Sequence, residues 1–117
     1  MVLVDTSVWI DHFHKTNLNL SNLLEEGFVF VHPFIIGELA CGNIKNRKEI
    51  FKLLQSLPQI KVTEHDEIIY FIENNKLYGK GLGYIDIHLL ASCKIDNAKL
   101  YTRDKKLIAV AKELHLL

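Results

Sequence analysis

The chain has 117 residues, of which 49% are hydrophobic, and it carries 14 basic and 14 acidic side chains. This length predicts one domain, residues 1–117, that buries roughly two-thirds of its extended surface. The composition excludes a disordered chain. The balanced charge excludes a basic field over the whole surface, although a local basic patch remains compatible with it.

Two features predict a cytoplasmic protein with no membrane attachment. No apolar run approaches the roughly 18 residues of a membrane span, and the N-terminal segment has the acid Asp5 and no basic start of a signal peptide. Cys41 and Cys93 form no CxxC pair. We therefore expect both thiols to be reduced and buried, as is usual in the cytosol.

Apolar periodicity, with Gly and Pro as end signals, predicts strands that alternate with helices. In chain order, the predicted elements are strand 2–4, helix 8–13, helix 18–26, strand 28–31, helix 34–41, helix 48–57, strand 60–62, helix 67–78, helix 84–95, strand 100–102 and helix 105–113, and residues 114–117 could add a fifth, edge strand.

Because the predicted strands are apolar throughout, they are expected to be covered on both faces. The pattern therefore predicts a three-layer α/β/α fold around a central, mostly parallel sheet of four to five strands. Right-handed crossovers bring the carboxyl ends of parallel strands to one edge of the sheet, which is where ligands bind in such folds.

Four acidic residues lie in or beside strongly apolar sequence. Asp5 and Asp104 follow predicted strands, whereas Glu38 and Asp86 lie on helices that begin at the same edge. All four carboxylates are therefore expected to reach one cleft. Burying a carboxylate is costly unless another group compensates its charge, and four of them indicate one shared divalent cation.

A cluster of carboxylates favours Mg²⁺ or Mn²⁺, because hard cations prefer oxygen ligands. Mg²⁺ takes only one or two carboxylates directly and keeps positions open for water and phosphate oxygens. The expected reaction is phosphodiester hydrolysis. The residues alone indicate metal-dependent phosphate chemistry at the edge of the sheet.

Structural roles for the same acids stay open. Asp5, Asp86 and Asp104 could each cap a helix, which is compatible with metal binding, and Glu38 could be a solvated helix residue. Asp11 lies about two turns beyond Asp5, so a surface or structural role is favoured.

Two other segments near the acids carry less chemistry. His88 does not share a helical face with Asp86, so a shared metal is not expected, although a substrate contact stays open. The glycine-rich segment 79–83 follows no predicted strand and lacks the Walker pattern. It therefore predicts a flexible loop that lines the cleft.

Four blocks of sequence resemble PIN-domain ribonucleases, and among them the VapC-type toxins of toxin–antitoxin modules. The blocks are LVDTSVWIDHF, PFIIGELACG, GLGYIDIHLLAS and LYTRDKKL, in the order and spacing of that family. The resemblance runs from residue 2 to about residue 110, nearly the whole chain. Any one block alone would be weak evidence.

The resemblance implies that Asp5, Glu38, Asp86 and Asp104 are the catalytic, metal-binding acids. It implies supporting hydroxyls at Thr6 or Ser7 and at Thr102. It further implies a Mg²⁺- or Mn²⁺-dependent RNA endonuclease that blocks translation by cutting tRNA, rRNA or mRNA. A homodimer and inhibition of the active site by a cognate antitoxin protein are also implied.

Nearby basic residues would then be candidates for contacts with RNA phosphates, namely Arg103, Lys105 and Lys80, with a solvated surface role as the alternative. A non-catalytic PIN-fold module that binds RNA or protein is the alternative function. A phosphatase or receiver domain of similar topology is disfavoured, because Ser7 stands where the phosphatase needs a second Asp. The third predicted strand, 60–62, is also followed by Thr63 and not by the phospho-accepting Asp of a receiver.

Overall fold

The computed structural model describes residues 1–117, which form three strands and seven helices. In chain order the elements are β1 (Val2–Val4), α1 (Thr6–His14), α2 (Leu18–Glu25), β2 (Val29–Phe30), α3 (Pro33–Ala40), α4 (Arg47–Ser56), α5 (His65–Asn75), α6 (Tyr84–Ile95), β3 (Lys99–Tyr101) and α7 (Lys105–Glu113). None of the helices combines the length and the hydropathy that a membrane span needs.

The three strands form a parallel sheet in the order β2-β1-β3. Leu3 pairs with Phe30 on one side and with Leu100 on the other, so β1 is the central strand. Helices flank this sheet, and the predicted three-layer α/β/α fold is confirmed. Because β1 and β3 run in the same direction, the residues that follow them lie at the same edge.

The predicted strand Ile60–Val62 is wrong, since only an isolated bridge joins this segment to the sheet, between Val31 and Gln59. Val31 N donates to Pro58 O at 2.9 Å, and Ile60 N donates to Val31 O at 3.1 Å. The pairing stops there because Lys61 N donates to the Asp96 carboxylate, which draws the chain away from β2.

The C-terminal segment 114–117 likewise forms no regular strand. Helix α7 ends at Glu113, and His115 adopts a left-handed backbone with φ of 59°. One backbone hydrogen bond then reaches β3, from Leu100 N to Leu116 O at 2.7 Å. The regular sheet therefore has three strands where four to five were predicted.

Most predicted helix ends lie within two residues of the observed ones, and α5 is the exception. This helix ends at Asn75, although the apolar pattern predicts helix up to Tyr78. Lys76 takes a left-handed backbone with φ of 53°, and Leu77 N donates to Ile72 O. This is the usual hydrogen bonding of a helix C-terminus, and it ends the helix without a glycine.

Helix α6 is the centre of the core, because every residue from Ile87 to Cys93 is buried. Leu89 and Leu90 are fully buried, as are Leu3 and Val4 of the central strand. Burial of Cys93 agrees with the prediction, whereas Cys41 is exposed at the end of α3, so the expectation that both thiols are buried is wrong for Cys41.

The sequence analysis did not predict that two histidines, His32 and His88, are both buried and lie close together. His32 is fully buried before α3, and its Nδ1 accepts a hydrogen bond from Phe34 N at 3.0 Å. Its ring lies 6.1 Å from the ring of His88, which is 3% exposed. Burial, and then the nearby His88, lower the pKa of His32 to about 4.

We therefore expect the protein to lose stability as the pH falls from about 6.5 to about 4. In that interval the unfolded chain protonates at position 32 and the folded protein does not, so acid favours unfolding by up to about 3 kcal/mol. Urea unfolding of wild type and His32→Asn from pH 7.5 to pH 4 measures this, because Asn keeps an acceptor for Phe34 N but does not titrate.

The matched control is His14→Asn, since His14 is exposed. The free energy of unfolding of His14→Asn should depend on pH as it does in the wild type, whereas that of His32→Asn should change less with pH. The part that remains in His32→Asn comes from other shifted groups. These include His12 and His88, whose pKa values burial lowers, and Asp86, whose raised pKa acts in the opposite direction. Equal pH dependence in wild type and His32→Asn would contradict the expectation.

Candidate active site

Three acidic residues meet at the carboxyl edge of the sheet. Asp5 directly follows β1, Asp104 follows β3, and Asp86 lies in the first turn of α6. Burial raises the pKa of Asp86, the negative charges of Asp5 and Asp104 raise it further, and a hydrogen bond from Gly83 N opposes the shift. The three carboxylates therefore form one electrostatic cluster.

Hydroxyl groups from two elements hold the Asp5 carboxylate, which is only 8% exposed. Thr102 Oγ1 donates to Asp5 Oδ2 at 2.8 Å, and Ser7 Oγ donates to the same oxygen at 2.9 Å. Asp5 occupies the N-cap position of α1, but its side chain accepts no capping bond. Both hydroxyls bind Oδ2, so neither of them uses Oδ1.

Thr102 links Asp5 to Asp104. The Thr102 hydroxyl donates to Asp5 and accepts a hydrogen bond from Asp104 N at 3.1 Å. Asp104 also caps α7, because its Oδ1 accepts from Leu107 N at 3.0 Å. The capping alternative therefore describes Asp104 correctly, and its second carboxylate oxygen is not used by that cap.

Asp86 is also tied to the start of its own helix, since its Oδ2 accepts from Gly83 N at 3.1 Å. The glycine-rich loop before it lies against α7. Gly81 has a φ of 77°, and a Cβ there would stand 3.0 Å from the Lys106 side chain. A side chain at position 81 would therefore strain the backbone and push Lys106 aside.

Glu38 lies at the rim of this cluster. Its side chain is exposed on α3 and accepts a hydrogen bond from Thr6 Oγ1 at 2.9 Å. Glu38 is absent from the charges that shift the pKa of Asp86. Thr6 and Ser7 are adjacent in sequence, so they bring Glu38 and Asp5 to the same start of α1, but Glu38 does not join the cluster of three.

The carboxylate oxygens of Asp5, Asp86 and Asp104 are ligands that suit a hard divalent cation. No three acidic, histidine or cysteine side chains lie close enough together in their present rotamers to hold one ion jointly. Mg²⁺ needs no such cage, because it takes one or two carboxylates directly and reaches others through water. Burial is the main cause of the raised Asp86 pKa, and the repulsion from Asp5 and Asp104 adds to it; a bound cation would relieve both costs of the charged carboxylate.

The basic residues near the cluster differ in whether their side chains form ion pairs. Arg103 forms an ion pair with Asp11, and Lys80 forms one with Glu113 at 2.8 Å. Lys105 is exposed and forms no ion pair. Of the three charges predicted to contact phosphate, only that of Lys105 is not in an ion pair.

A groove of about 800 Å³ runs from Glu38 between α1 and the segment that joins α3 to α4. Its apolar lining includes Trp9, Phe13, Leu39 and Ile44. The sequence analysis did not predict this groove, because it forms where segments distant in sequence pack against each other. Trp9 is fully buried and is part of the core.

Comparison with known proteins gives the family. The model of the PIN domain matches residues 2–113. The chain belongs to the PIN-domain family. It is 43% identical over 114 residues to ribonuclease VapC32 from two strains of Mycobacterium tuberculosis, covering 97% of this chain and 92% of each relative. The resemblance to VapC-type ribonucleases is thus confirmed over nearly the whole PIN domain.

A solved structure supports the same fold. The crystal structure of PAE2754 from Pyrobaculum aerophilum matches with a TM-score of 0.62, covering 92% of this chain and 82% of that chain at 16% identity. At this low identity the likeness concerns the fold alone.

Proposed function

We propose that this PIN domain is a Mg²⁺- or Mn²⁺-dependent RNA endonuclease that acts as the toxin of a toxin–antitoxin pair. The observation that carries the proposal is the cluster of Asp5, Asp86 and Asp104, in which like charges are held together at the carboxyl edge of the sheet. The similarity to ribonuclease VapC32 supports RNA as the substrate.

In this proposal Asp5 and Asp86 hold the ion, and Asp104 and Glu38 complete the site through direct or water-mediated contacts. An ion held there would supply the activation of water and would offset the charge that develops on the phosphate. Thr102 and Ser7 orient the Asp5 carboxylate by donating to Oδ2. Thr6 positions Glu38 in the same way.

The family relation also supports partners for the protein. We propose a cognate antitoxin that inhibits the active site, a homodimer, and a block of translation through cleavage of tRNA, rRNA or mRNA. These parts of the proposal depend on the similarity to VapC-type proteins, and the geometry of the carboxylates supports only the phosphate chemistry.

The test is to incubate the purified protein, free of antitoxin, with total cellular RNA in Mg²⁺, Mn²⁺ or EDTA and to sequence the new RNA ends. Discrete metal-dependent ends in one class of RNA are expected, and their positions name the target. Metal binding without cleavage of any RNA would instead favour a non-catalytic RNA-binding PIN module.

Lys105→Gln is expected to weaken RNA binding and to reduce its salt dependence. The logarithm of the binding constant falls as the logarithm of the salt concentration rises. Loss of one phosphate contact makes this slope less steep by about 0.7 for a single strand. Fluorescence anisotropy with a single-stranded RNA at several salt concentrations measures the slope. The matched control is Lys112→Gln at the other end of α7, which should keep the wild-type slope, and equal slopes for both variants would contradict a phosphate contact at Lys105.

A further inference from the structure

An exposed aromatic ring lies in the same helical turn as Asp86. Tyr84 is the first residue of α6, and its side chain is 44% exposed. Tyr84 and Asp86 are two positions apart, with one residue between them, so their Cα atoms are at most about 7 Å apart. Both side chains therefore start from the first turn of α6, although they leave different faces of the helix.

The ring of Tyr84 is held in place on one side. Its hydroxyl pairs with His65 Nδ1 at 2.7 Å, and its ring meets the His88 ring edge to face at 4.7 Å between centroids. His88 is buried and meets Phe34 edge to face, also at 4.7 Å. Tyr84 is thus fixed to the core through His88, while a large part of the residue stays exposed.

The other exposed tyrosines of this region lack such support. Tyr70 is 70% exposed and Tyr78 is 59% exposed. Neither forms a side-chain hydrogen bond, and neither packs against another aromatic ring, in contrast to Tyr84. Tyr84 alone of the three combines exposure, a fixed orientation and a position in the helical turn that carries Asp86.

We propose that Tyr84 is a stacking platform for a nucleobase next to the scissile phosphate. The inference depends on the proposed function, because its ligand is single-stranded RNA. Unstacked bases of RNA stack on tyrosine rings, and the interaction does not require a particular base. Because His65 and His88 already fix the ring, stacking removes little further conformational freedom from the protein.

The experiment measures binding and uses Asp5→Asn protein throughout, so that RNA is not cut. The probes are a fluorescent single-stranded oligoadenylate and an abasic oligomer with the same ribose-phosphate chain. Tyr84→Leu removes the ring, Tyr84→Phe keeps it without the hydroxyl, and Tyr70→Leu is the matched control on α5. Anisotropy at several salt concentrations gives the dissociation constant and its salt slope.

Tyr84→Leu is expected to weaken oligoadenylate binding about tenfold, or 1.4 kcal/mol, and to leave binding of the abasic oligomer unchanged. The salt slope should stay the same, because no charge is removed. Tyr84→Phe should bind within about threefold of the parent, since it loses only one hydrogen bond. Tyr70→Leu should bind like the parent.

Equal binding by Tyr84→Leu and the parent would overturn the inference, as would equal weakening for the oligoadenylate and the abasic oligomer. If Tyr84→Leu does not fold, Tyr84→Trp replaces it and must bind oligoadenylate at least as tightly as the parent. Lack of cleavage by wild-type protein would count against the nuclease alone, because this assay does not depend on turnover.

Discussion

Replacing Asp5 by Asn is expected to abolish metal-dependent RNA cleavage while the protein stays folded. Asn keeps the shape of the side chain, and its carbonyl oxygen can still accept from Thr102 and Ser7, which bind Asp5 Oδ2 at 2.8 Å and 2.9 Å. The negative charge is lost, so we expect the cleavage rate to fall more than a hundredfold. Loss of a residue that only hydrogen-bonds to a metal ligand typically costs roughly 10–100-fold. Initial cleavage rates under saturating Mn²⁺ measure the effect.

The matched control is Asp66→Asn, because Asp66 is an exposed acid in the first turn of α5. It should cleave RNA like wild type. Circular dichroism establishes that both variants fold. Cleavage by Asp5→Asn at more than about a tenth of the wild-type rate would remove Asp5 from the proposed site.

Replacing Asp86 by Asn is expected to raise the Tm of the metal-free protein and to weaken its binding of Mn²⁺. The pKa of Asp86 is raised by burial and by the charges of Asp5 and Asp104. A carboxyl group with a raised pKa in the folded protein destabilises the fold at pH values above that pKa, where it is ionised. Asn removes this charge and can still accept from Gly83 N, so a gain of a few degrees is expected at pH 7.

The same variant should gain less stability than wild type when Mn²⁺ is added, because it has lost a proposed ligand. Thermal unfolding in EDTA and in increasing Mn²⁺ measures both effects, since a ligand that binds the folded state raises the Tm more at a given concentration the more tightly it binds. Asp66→Asn should follow the wild-type curve. An unchanged response to Mn²⁺ in Asp86→Asn would exclude Asp86 as a ligand.

The sheet and the position of the acids could be predicted from the sequence because they depend on local pattern. Apolar runs at Val2–Val4 and at 100–102 predict β1 and β3, and parallel strands must end at one edge. The meeting of Asp5 with Asp104 follows from that rule. Residues 60–62 look like a strand by the same criterion, and they fail because a long-range hydrogen bond from Lys61 N to Asp96 competes with sheet pairing.

The site could be predicted only as a set of residues. The sequence left Thr6 and Ser7 as alternatives, whereas Ser7 contacts Asp5 and Thr6 contacts Glu38. Likewise, the pair formed by Asp11 and Arg103 joins residues 92 positions apart. Which of two neighbouring hydroxyls faces which carboxylate depends on helix rotation, and apolar periodicity does not determine rotation to that precision.

The histidines illustrate a second limit. His32 follows an apolar run, and nothing in its neighbourhood predicts that it is fully buried or that it lies 6.1 Å from His88. Its low pKa and its contact with α6 arise from packing between elements distant in sequence. The same packing fixes the ring of Tyr84, so the proposed stacking platform was beyond the reach of motif analysis.

The most direct test of the central claim is a Mn²⁺ titration of the wild-type protein in which bound Mn²⁺, observed by electron paramagnetic resonance, and the initial rate of RNA cleavage are measured in the same samples. If the carboxylates at the sheet edge hold the ion that cleavage requires, bound Mn²⁺ and rate rise together, and both are lost in Asp5→Asn. RNA cleavage that persists in EDTA, or that continues unchanged in Asp5→Asn, would contradict that claim.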